Sequence, residues 1–402
     1  MYKKIRIWVL LLITIALHAN GQVKQIEAVR GVWVPAPRFT KVLHSYENVQ
    51  KFVGLLDSLN FNAVFLVSYA QTQSIYPSKV IKEYTGSKNL AATSMLSPYL
   101  SQYHQPLKSP TGDPVADLIR LAHQRHIKVF FWYEYGFMGD TKPITDKNPL
   151  LAKNPDWLGI GNDGKPAAYH QKDFYFNAYH PKVQDYMIKL IEEGIKLYPE
   201  VDGVQGDDRL PAMPRNSGYD AYTVSKYKAE HQGNLPPQDF NEESWVNWRI
   251  AILNQFGKRL YKAAHALKKD IMVSFAPNPY PWSKENLMQD WPNWIKEGIC
   301  DLLAVQCYRY SADAYKNTVS EALSYVNSNR PKQLFAPGII LMEGNQIKMS
   351  ADLLKQQLKI NRDLNINGEI FFYNEALNNK EIQSVFKEVY PYKAKFPDDH
   401  HR

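Results

Sequence analysis

The strongest constraint on the fold of this chain is a regular alternation of short β-rich runs with longer amphipathic segments. We predict strands at 31–35, 63–68, 128–133, 203–206, 271–276, 302–308, 334–340 and 369–373. Helices are predicted at 48–59, 115–126, 183–198, 244–267, 291–298, 311–327, 351–361 and 379–388, where apolar residues recur on one helix face. This alternation is typical of a parallel sheet with helical crossovers.

Eight such units favour a closed barrel over an open sheet. Eight parallel strands joined by right-handed helical crossovers form a (β/α)₈ barrel. An open doubly wound sheet usually has fewer strands and often a Gly-rich turn after the first one. Here Pro35-Ala36-Pro37-Arg38 follows the first strand, which is no phosphate cradle. We therefore predict an α/β fold, a (β/α)₈ TIM barrel that forms a single domain over residues 22–402.

The N-terminus has the order of a secretory signal. Lys3, Lys4 and Arg6 precede an apolar run over residues 7–17, and Ala19 and Gly21 stand at the −3 and −1 positions of a cut. The run is too short to span a bilayer, which needs roughly 20 residues. We predict a signal peptide over residues 1–21 and a mature protein that is exported to the periplasm or beyond and has no integral membrane segment.

Charge and cysteine content exclude several classes. The formal charge is +8, and removal of the signal with its three cations leaves +5, which is weak support for nucleic-acid binding. We predict no nucleic-acid partner. Cys300 and Cys307 are seven residues apart, with the second in a predicted strand, so their Cα atoms lie beyond disulfide reach. Both thiols are predicted to be reduced and buried.

The predicted connections after strands are much longer than those before them, notably at 69–113, 134–180 and 207–243. In a barrel such loops lie on the active face at the C-terminal ends of the strands. They are rich in Tyr, Trp, Pro and Asn. Aromatic residues make up 13% of the chain, with 26 Tyr and 9 Trp, which suits a rim that stacks on sugar rings but also suits packing between barrel and helices.

The strongest candidate for chemistry is Asp207-Asp208-Arg209, directly after the fourth predicted strand. Glycoside hydrolysis uses two carboxyl groups, one protonated to help the leaving oxygen depart and one ionised to stabilise the oxocarbenium-like centre. Arg209 could hold one acid ionised. A loop-ordering role with an ion pair to Arg209 is the structural alternative. Asp202, which precedes the strand, is predicted to be structural.

Other predicted strands also end in polar or aromatic residues. Glu134 follows the third strand and is a candidate catalytic partner or a buried carboxyl group. Candidates for substrate binding are Trp132, Asn278, Trp282, Gln306, Tyr308, Asn374 and Glu375, besides Arg209. Gln306 and Asn374 carry no titratable proton at neutral pH, so their role would be recognition of hydroxyl groups.

No sequence pattern indicates a metal or a cofactor. The zinc motif His-Glu-x-x-His is absent, and so is the Gly-x-Ser-x-Gly elbow of serine hydrolases. His123 and His126 are expected near the end of the second predicted helix, where positive charge suits the dipole. We predict no metal site and no cofactor.

Several segments resemble one family in their order along the chain. They are Arg30-Gly31-Val32-Trp33-Val34, Phe61-Asn62-Ala63-Val64, Lys128-Val129-Phe130-Phe131-Trp132, Asn154-Pro155-Asp156-Trp157, Phe176-Asn177-Ala178-Tyr179-His180-Pro181, and residues 202–209, 301–308 and 368–372. The chain resembles the bacterial glycoside-hydrolase-like proteins distantly related to family ten. The resemblance implies a (β/α)₈ glycosidase that acts on cell-wall glycan or a related polysaccharide. Arg209-Leu210-Pro211, Val305 and Cys307 depart from the family pattern.

Three functions remain open at this stage. The first is a glycoside hydrolase with Asp208 or Asp207 as general acid and Glu134 or the other aspartate as its partner; on an amino-sugar glycan such as peptidoglycan strands, the substrate's N-acetyl group could be the nucleophile. The second is a carbohydrate-binding barrel without catalysis. The third is a transglycosylase that uses the same carboxyl groups.

Overall fold

A computed structural model describes residues 26–105, 107–140, 148–169, 174–366 and 368–397. The predicted signal peptide, residues 1–21, lies outside the described residues. Within the described ranges, no helix combines the length and apolarity that a membrane crossing requires.

Eight parallel strands follow one another along the chain and around the main sheet. They are β1 (Arg30–Val34), β2 (Ala63–Ala70), β3 (Lys128–Tyr133), β4 (Gly203–Gly206), β5 (Met272–Phe275), β6 (Leu302–Leu303), β7 in two pieces (Leu334–Phe335 and Gly338–Ile340) and β8 (Glu369–Phe372). Each predicted strand has a counterpart. β8 pairs with β1, with Glu369 opposite Arg30.

The seventh strand closes the barrel. Its first piece pairs with β6, with Leu334 opposite Leu302, and its second piece pairs with β8, with Gly338 opposite Ile370. Pro337 lies between the pieces and has no N–H for the ladder, which accounts for the interruption. The predicted (β/α)₈ architecture is thus confirmed.

The sixth strand is shorter than predicted. Its ladder ends at Leu303, and beyond it a single bridge joins Gln306 to Gly338. The N–H of Cys307 bonds back to the carbonyl of Val305 at 2.9 Å, a tight turn that ends the extended run. Cys300 and Cys307 are both buried, and no disulfide joins them, as predicted.

The helices pack around the strands, and each predicted helix has a counterpart. They are α1 (Tyr46–Ser58), α2 (Lys79–Thr85), α3 (Pro114–His123), α4 (Pro149–Lys153), α5 (Pro181–Leu197), α6 (Ala221–Glu230), α7 (Glu243–Leu267), α8 (Trp282–Leu287), α9 (Trp291–Lys296), α10 (Ala312–Asn329), α11 (Ala351–Asp363) and α12 (Lys380–Val389). Side-chain oxygens of Ser45, Ser311 and Ser350 accept hydrogen bonds from backbone N–H groups at the starts of α1, α10 and α11. Serine is one of the favoured residues at this N-cap position.

The long loops after the strands carry structure of their own. Helices α2, α4, α6 and α8 lie in the connections after β2, β3, β4 and β5. Short antiparallel pairs join Met138–Asp140 to Phe174–Tyr175 and Met342–Glu343 to Gln346–Ile347, and Gln73–Ser74 pairs with β2. One-turn 3₁₀ helices lie at Val42–His44, Ala91–Thr93, Leu100–Gln102, Pro155–Trp157 and Asn374–Asn378.

At the opposite, N-terminal end of the barrel, Asp202 fastens neighbouring elements. It accepts a hydrogen bond from the N–H of Val129 at 2.8 Å and from Nζ of Lys128 at 3.0 Å. Nε2 of His123, the last residue of α3, lies 2.8 Å from its Oδ2 atom. The predicted structural role of Asp202 is confirmed.

Candidate active site

The turn after β4 buries Asp207 at the C-terminal end of the barrel, which we call the mouth. The residue is 1% exposed. Its Oδ1 accepts the backbone N–H of Arg209 at 2.9 Å, and its Oδ2 accepts Nη1 of the same residue at 2.8 Å. Burial, together with the negative charge of Asp208, raises the pKa of Asp207 well above its ordinary value. Because both oxygens are occupied and covered, Asp207 is placed to hold Arg209, not to touch a substrate.

Asp208 is the more accessible member of the pair. Its side chain is 16% exposed, against 1% for Asp207. Oδ1 accepts Nη1 of Arg209 at 2.8 Å, and Oδ2 accepts Nδ2 of Asn278 at 3.1 Å. Asn278, predicted to bind substrate, thus orients this carboxylate. A carboxylate fixed by two donors and open to the mouth can face a positively charged centre.

Glu134 supplies a third carboxyl group from the end of β3. Arg209 links it to the pair, because its Nη1 donates to the carbonyl of Glu134 at 3.2 Å. Oε2 of Glu134 is buried and has no hydrogen-bond partner among the described residues. Burial raises the pKa of Glu134 to about 7, against the lowering effect of Arg209 and Arg38. A carboxyl group with this pKa is poised to give up a proton at neutral pH.

A glycine lets the loop after β3 meet the turn after β4. Gly136 has a φ of +48°, and a Cβ there would collide with the carbonyl oxygen of Arg209. The same carbonyl accepts the N–H of Phe137 at 3.0 Å. This close backbone contact fixes Glu134 relative to the acid pair.

Aromatic rings fill the barrel next to these acids. Trp132 lies 6.3 Å from Trp33 and 6.4 Å from Phe372, measured between ring centroids, and it is 3% exposed. Stacking of a sugar on Trp132, predicted from sequence, does not fit this geometry because its neighbours cover the ring. Its buried Nε1 has no partner among the described residues.

Two predicted residues, Gln306 and Tyr308, follow β6 and lie at the same mouth. Tyr308 is partly exposed, and burial together with the charges of Asp208 and Asp207 raises the pKa of its hydroxyl group well above the ordinary value. The acid pair is therefore within electrostatic reach of that hydroxyl group. Gln306 is partly exposed and donates to the carbonyl of Ala276 at 2.9 Å.

The remaining predicted residues, Asn374, Glu375 and Trp282, contact other partners. Asn374 donates to Oγ1 of Thr40 at 3.0 Å and to Oε1 of Glu375 at 3.1 Å, on the side of the mouth where β8 meets β1. Trp282 begins α8 and packs edge-on against Tyr169, with ring centroids 5.3 Å apart. The structure thus brings together Glu134, Asp207, Asp208, Arg209, Asn278 and Tyr308.

No motif in the sequence indicates Gln289, although it supports the site. It is fully buried after α8, and its Nε2 donates to the carbonyls of Asp207 at 3.2 Å and Pro211 at 3.3 Å. Gln289 and Asp207 are 82 residues apart in the sequence, so only the tertiary structure shows their contact. In the described parts of the chain, no three His, Cys, Asp or Glu side chains are grouped as a metal site would require.

A closed barrel with three carboxyl groups at the C-terminal ends of its strands defines a carbohydrate-active protein of the glycoside hydrolase barrel class. The model of the family described as "Glycosyl hydrolase-like 10" matches residues 28–349. The chain belongs to this family, and the resemblance inferred from sequence is confirmed.

Relatives and solved structures agree with this assignment. The chain is 24% identical to "Glycosyl hydrolase YngK" of Bacillus subtilis (strain 168), over 96% of this chain and 76% of that protein. It is 24% identical to "Glycosyl hydrolase DigH" of Escherichia coli (strain K12), over 82% of this chain and 76% of that protein. The PgaB (BpsB) glycoside hydrolase domain from Bordetella bronchiseptica superposes with a TM-score of 0.63 at 15% identity, over 90% of this chain and 98% of that one. The last likeness concerns the fold alone.

Proposed function

We propose that the protein hydrolyses glycosidic bonds in a polysaccharide or oligosaccharide, with Glu134 as the general acid and Asp208 as its ionised partner. The observation that carries the proposal is the contrast between the two groups. Glu134 has a buried, unpartnered oxygen and a pKa raised by burial to about 7, whereas Asp208 receives hydrogen bonds from Arg209 and Asn278. Two carboxyl groups in such different surroundings suit the two roles in glycoside hydrolysis.

The reaction follows from these positions. The glycosidic C–O bond breaks, its oxygen takes the proton of Glu134, and the carboxylate of Asp208 stabilises the positive charge at the anomeric carbon. Water then supplies the hydroxyl group of the new reducing end, and its remaining proton returns to Glu134. This assignment reverses the roles expected from sequence, where Asp207 or Asp208 was the acid. Asp207 and Arg209 act as positioning residues.

The substrate class and the location extend this proposal. The family resemblance supports an amino-sugar glycan such as peptidoglycan strands, in which an N-acetyl group could act as the nucleophile. The charged, apolar and small-residue order of residues 1–21 supports export. The protein would then meet its glycan outside the cytoplasm.

The test is the appearance of new reducing ends. The protein is incubated with peptidoglycan glycan strands, chitin oligomers and plant polysaccharides, beside its Glu134→Gln and Asp208→Asn variants. Hydrolysis by the wild type, lost in both variants, supports the proposal. Binding of a glycan without cleavage of any substrate would favour the carbohydrate-binding alternative.

A second measurement distinguishes hydrolysis from transfer. Products are compared with and without an added sugar acceptor, and longer products that depend on the acceptor would favour a transglycosylase. NMR spectra of the first products give the anomeric configuration and so separate retention from inversion.

A further inference from the structure

A cavity lies at the C-terminal face of the barrel, on the side where β8 meets β1. It encloses about 730 Å³ between the loop after β1, the first turns of α1 and the residues that follow β8. We call it the side cavity, and define it by Arg38, Phe39, Lys41, His44, Tyr99 and Asn374. The proposed reaction uses none of these six residues.

Positive charge dominates the wall of the side cavity. Arg38 and Lys41 are exposed, and neither forms a salt bridge with a carboxylate in the described structure. Lys51 also lines the cavity, but its Nζ lies 2.6 Å from Glu47. Arg38 and Lys41 are therefore the cations that remain available to a ligand.

Glu375, whose carboxylate also lines the cavity, already has hydrogen-bond partners. Oε1 of Glu375 accepts hydrogen bonds from Thr40 at 2.6 Å and from Asn374 at 3.1 Å, and its Oε2 accepts Nδ2 of Asn378 at 3.2 Å. All three donors are neutral groups, and Glu375 forms no ion pair with Arg38 or Lys41 in the described structure.

Asn374 offers an unused acceptor at the same place. The residue is 3% exposed and lines the cavity. Its Nδ2 donates to Thr40 and Glu375, whereas its buried Oδ1 has no hydrogen-bond partner among the described residues. A buried polar atom without a partner is uncommon and indicates a ligand group, here a hydroxyl or amide N–H.

Flat apolar surfaces complete the cavity. The ring of Phe39 is 45% exposed, and the guanidinium carbon of Arg38 lies 4.6 Å from its centroid. His44 stacks on Tyr99 with ring centroids 3.8 Å apart. Aromatic faces of this kind pack against the C–H face of a sugar ring.

The positive charge of the side cavity also reaches the proposed general acid. The positive charge of Arg38 lowers the pKa of Glu134, so the guanidinium group is within electrostatic reach of the proposed acid. A glycan bound at Glu134 is therefore exposed to the positive charge of Arg38.

We propose that the side cavity is a subsite for a sugar unit that carries a carboxylate. Arg38 and Lys41 bind the carboxylate, Oδ1 of Asn374 accepts a hydroxyl or amide N–H, and Phe39 packs against the ring. The inference rests on the proposed action on carbohydrates and adds to it a preference for acidic glycans.

The test compares matched ligands that differ only in charge. Peptide-free peptidoglycan strands and oligogalacturonates are each prepared as the free acid and as the methyl ester. Binding to the full-length Asp208→Asn variant is measured by titration calorimetry, so that cleavage does not interfere. We expect the free acid of at least one pair to bind roughly fivefold more tightly than its ester, as partly exposed charge pairs allow.

Lys41→Gln, added to Asp208→Asn, should remove this difference between acid and ester. Lys262→Gln is the matched control, since Lys262 is an exposed lysine of α7 outside the cavity, and it should keep the difference. Equal binding of acid and ester in both pairs, no binding of any probe, or an unchanged preference in Lys41→Gln would overturn the subsite. Cleavage by the wild type is scored separately, so a protein that prefers acids but releases no reducing ends would contradict hydrolysis and retain the subsite.

Discussion

Nη1 of Arg209 lies 2.8 Å from Oδ1 of Asp208 and donates a hydrogen bond to it. The same nitrogen donates to Oδ2 of Asp207 at 2.8 Å and to the carbonyl of Glu134 at 3.2 Å. One guanidinium group therefore joins two adjacent strands of the barrel and compensates two neighbouring carboxylates that would otherwise repel each other. The acidic mouth depends on this cation.

Replacement of Arg209 by Met should destabilise the fold as well as the site. The Arg209 side chain is 29% exposed and its partners 1% and 16%, so its loss leaves two enclosed carboxylates without a cation. Removal of one partner from a buried ion pair costs about 3 kcal/mol or more. Urea unfolding at pH 7 should show a decrease of about 3 kcal/mol in the free energy of unfolding.

Arg259→Met is the matched control for that change. Arg259 pairs with Asp185, and the two side chains are 38% and 44% exposed. Exposed pairs contribute up to about 1 kcal/mol, so its loss should be correspondingly small. Equal losses in the two variants would contradict the role given to Arg209.

The pH dependence of activity tests Glu134. Its carboxyl group has a pKa raised by burial to about 7, so it is protonated below that pH and loses its proton above it. As the general acid must be protonated and this pKa belongs to the protein without substrate, kcat/KM should decline above pH 7, by about tenfold per pH unit. Glu134→Gln should lower kcat by about 10²- to 10⁴-fold and remove this alkaline decline.

A stability measurement separates this role from damage to the fold. The pKa of Glu134 rises from 4.5 in the unfolded state to about 7 in the folded state, so this carboxyl group lowers stability as pH rises between these values, and the loss is fully present at pH 8. Glu134→Gln should therefore unfold at a higher urea concentration than the wild type at pH 8. The exposed Glu321 of α10 gives the control, and Glu321→Gln should alter neither kcat nor the pH profile. Inactivity of Glu134→Gln with lowered stability at pH 8 would argue for a structural role.

The architecture could be predicted because each strand and helix carries its own local pattern. Residues 129–132 are all apolar, as a strand buried on both faces requires, and the structure has β3 at Lys128–Tyr133. Local pattern fails where tertiary contacts decide. The run over 302–308, apolar over its first four residues, predicts a long sixth strand, but the ladder ends at Leu303 and the chain turns at Cys307.

Site residues divide in the same way. The acid pair could be found because it directly follows a barrel strand, and strand ends meet at one face. The contacts between these residues could not be predicted, because composition and spacing do not fix side-chain direction. Trp132 points into a ring cluster, Asn278 orients Asp208 and Gln289 supports the turn from a distant loop.

The close approach of two loops at Gly136 gives a further prediction. Gly136→Ala places a methyl group against the carbonyl of Arg209 and also forces a side chain into a φ of +48°. Gly164→Ala is the matched control, because Gly164 has a φ of +74° but open space around its Cβ position. Left-handed backbone costs about 1 kcal/mol, so Gly164→Ala should lose that amount.

Gly136→Ala should lose clearly more than Gly164→Ala in urea unfolding, since the collision adds to the same backbone cost. It should also lower kcat/KM, because Glu134 moves when its loop withdraws from the turn after β4. Equal stability losses together with full activity in both variants would show that the contact at Gly136 does not position Glu134.

Asp202 and Asp208 flank the same strand, but replacement of Asp202 should lower stability and replacement of Asp208 should lower activity. Burial by itself would raise the pKa of Asp202, but hydrogen bonds from His123 and the N–H of Val129, with the charge of Lys128, lower it below the ordinary value. Stability from a lowered carboxyl pKa is present above the unfolded value of about 3.9 and is lost as pH falls through the folded value. Asp202→Asn should therefore cost about 1 to 3 kcal/mol at pH 7, and the difference from wild type should shrink below about pH 4.

The kcat/KM of Asp202→Asn should stay within about twofold of wild type, whereas Asp208→Asn should lose about 10²-fold or more. Because Asp202 lies at the N-terminal end of the barrel, a large loss of activity in a folded Asp202→Asn protein would mean that the chemistry is not confined to the mouth.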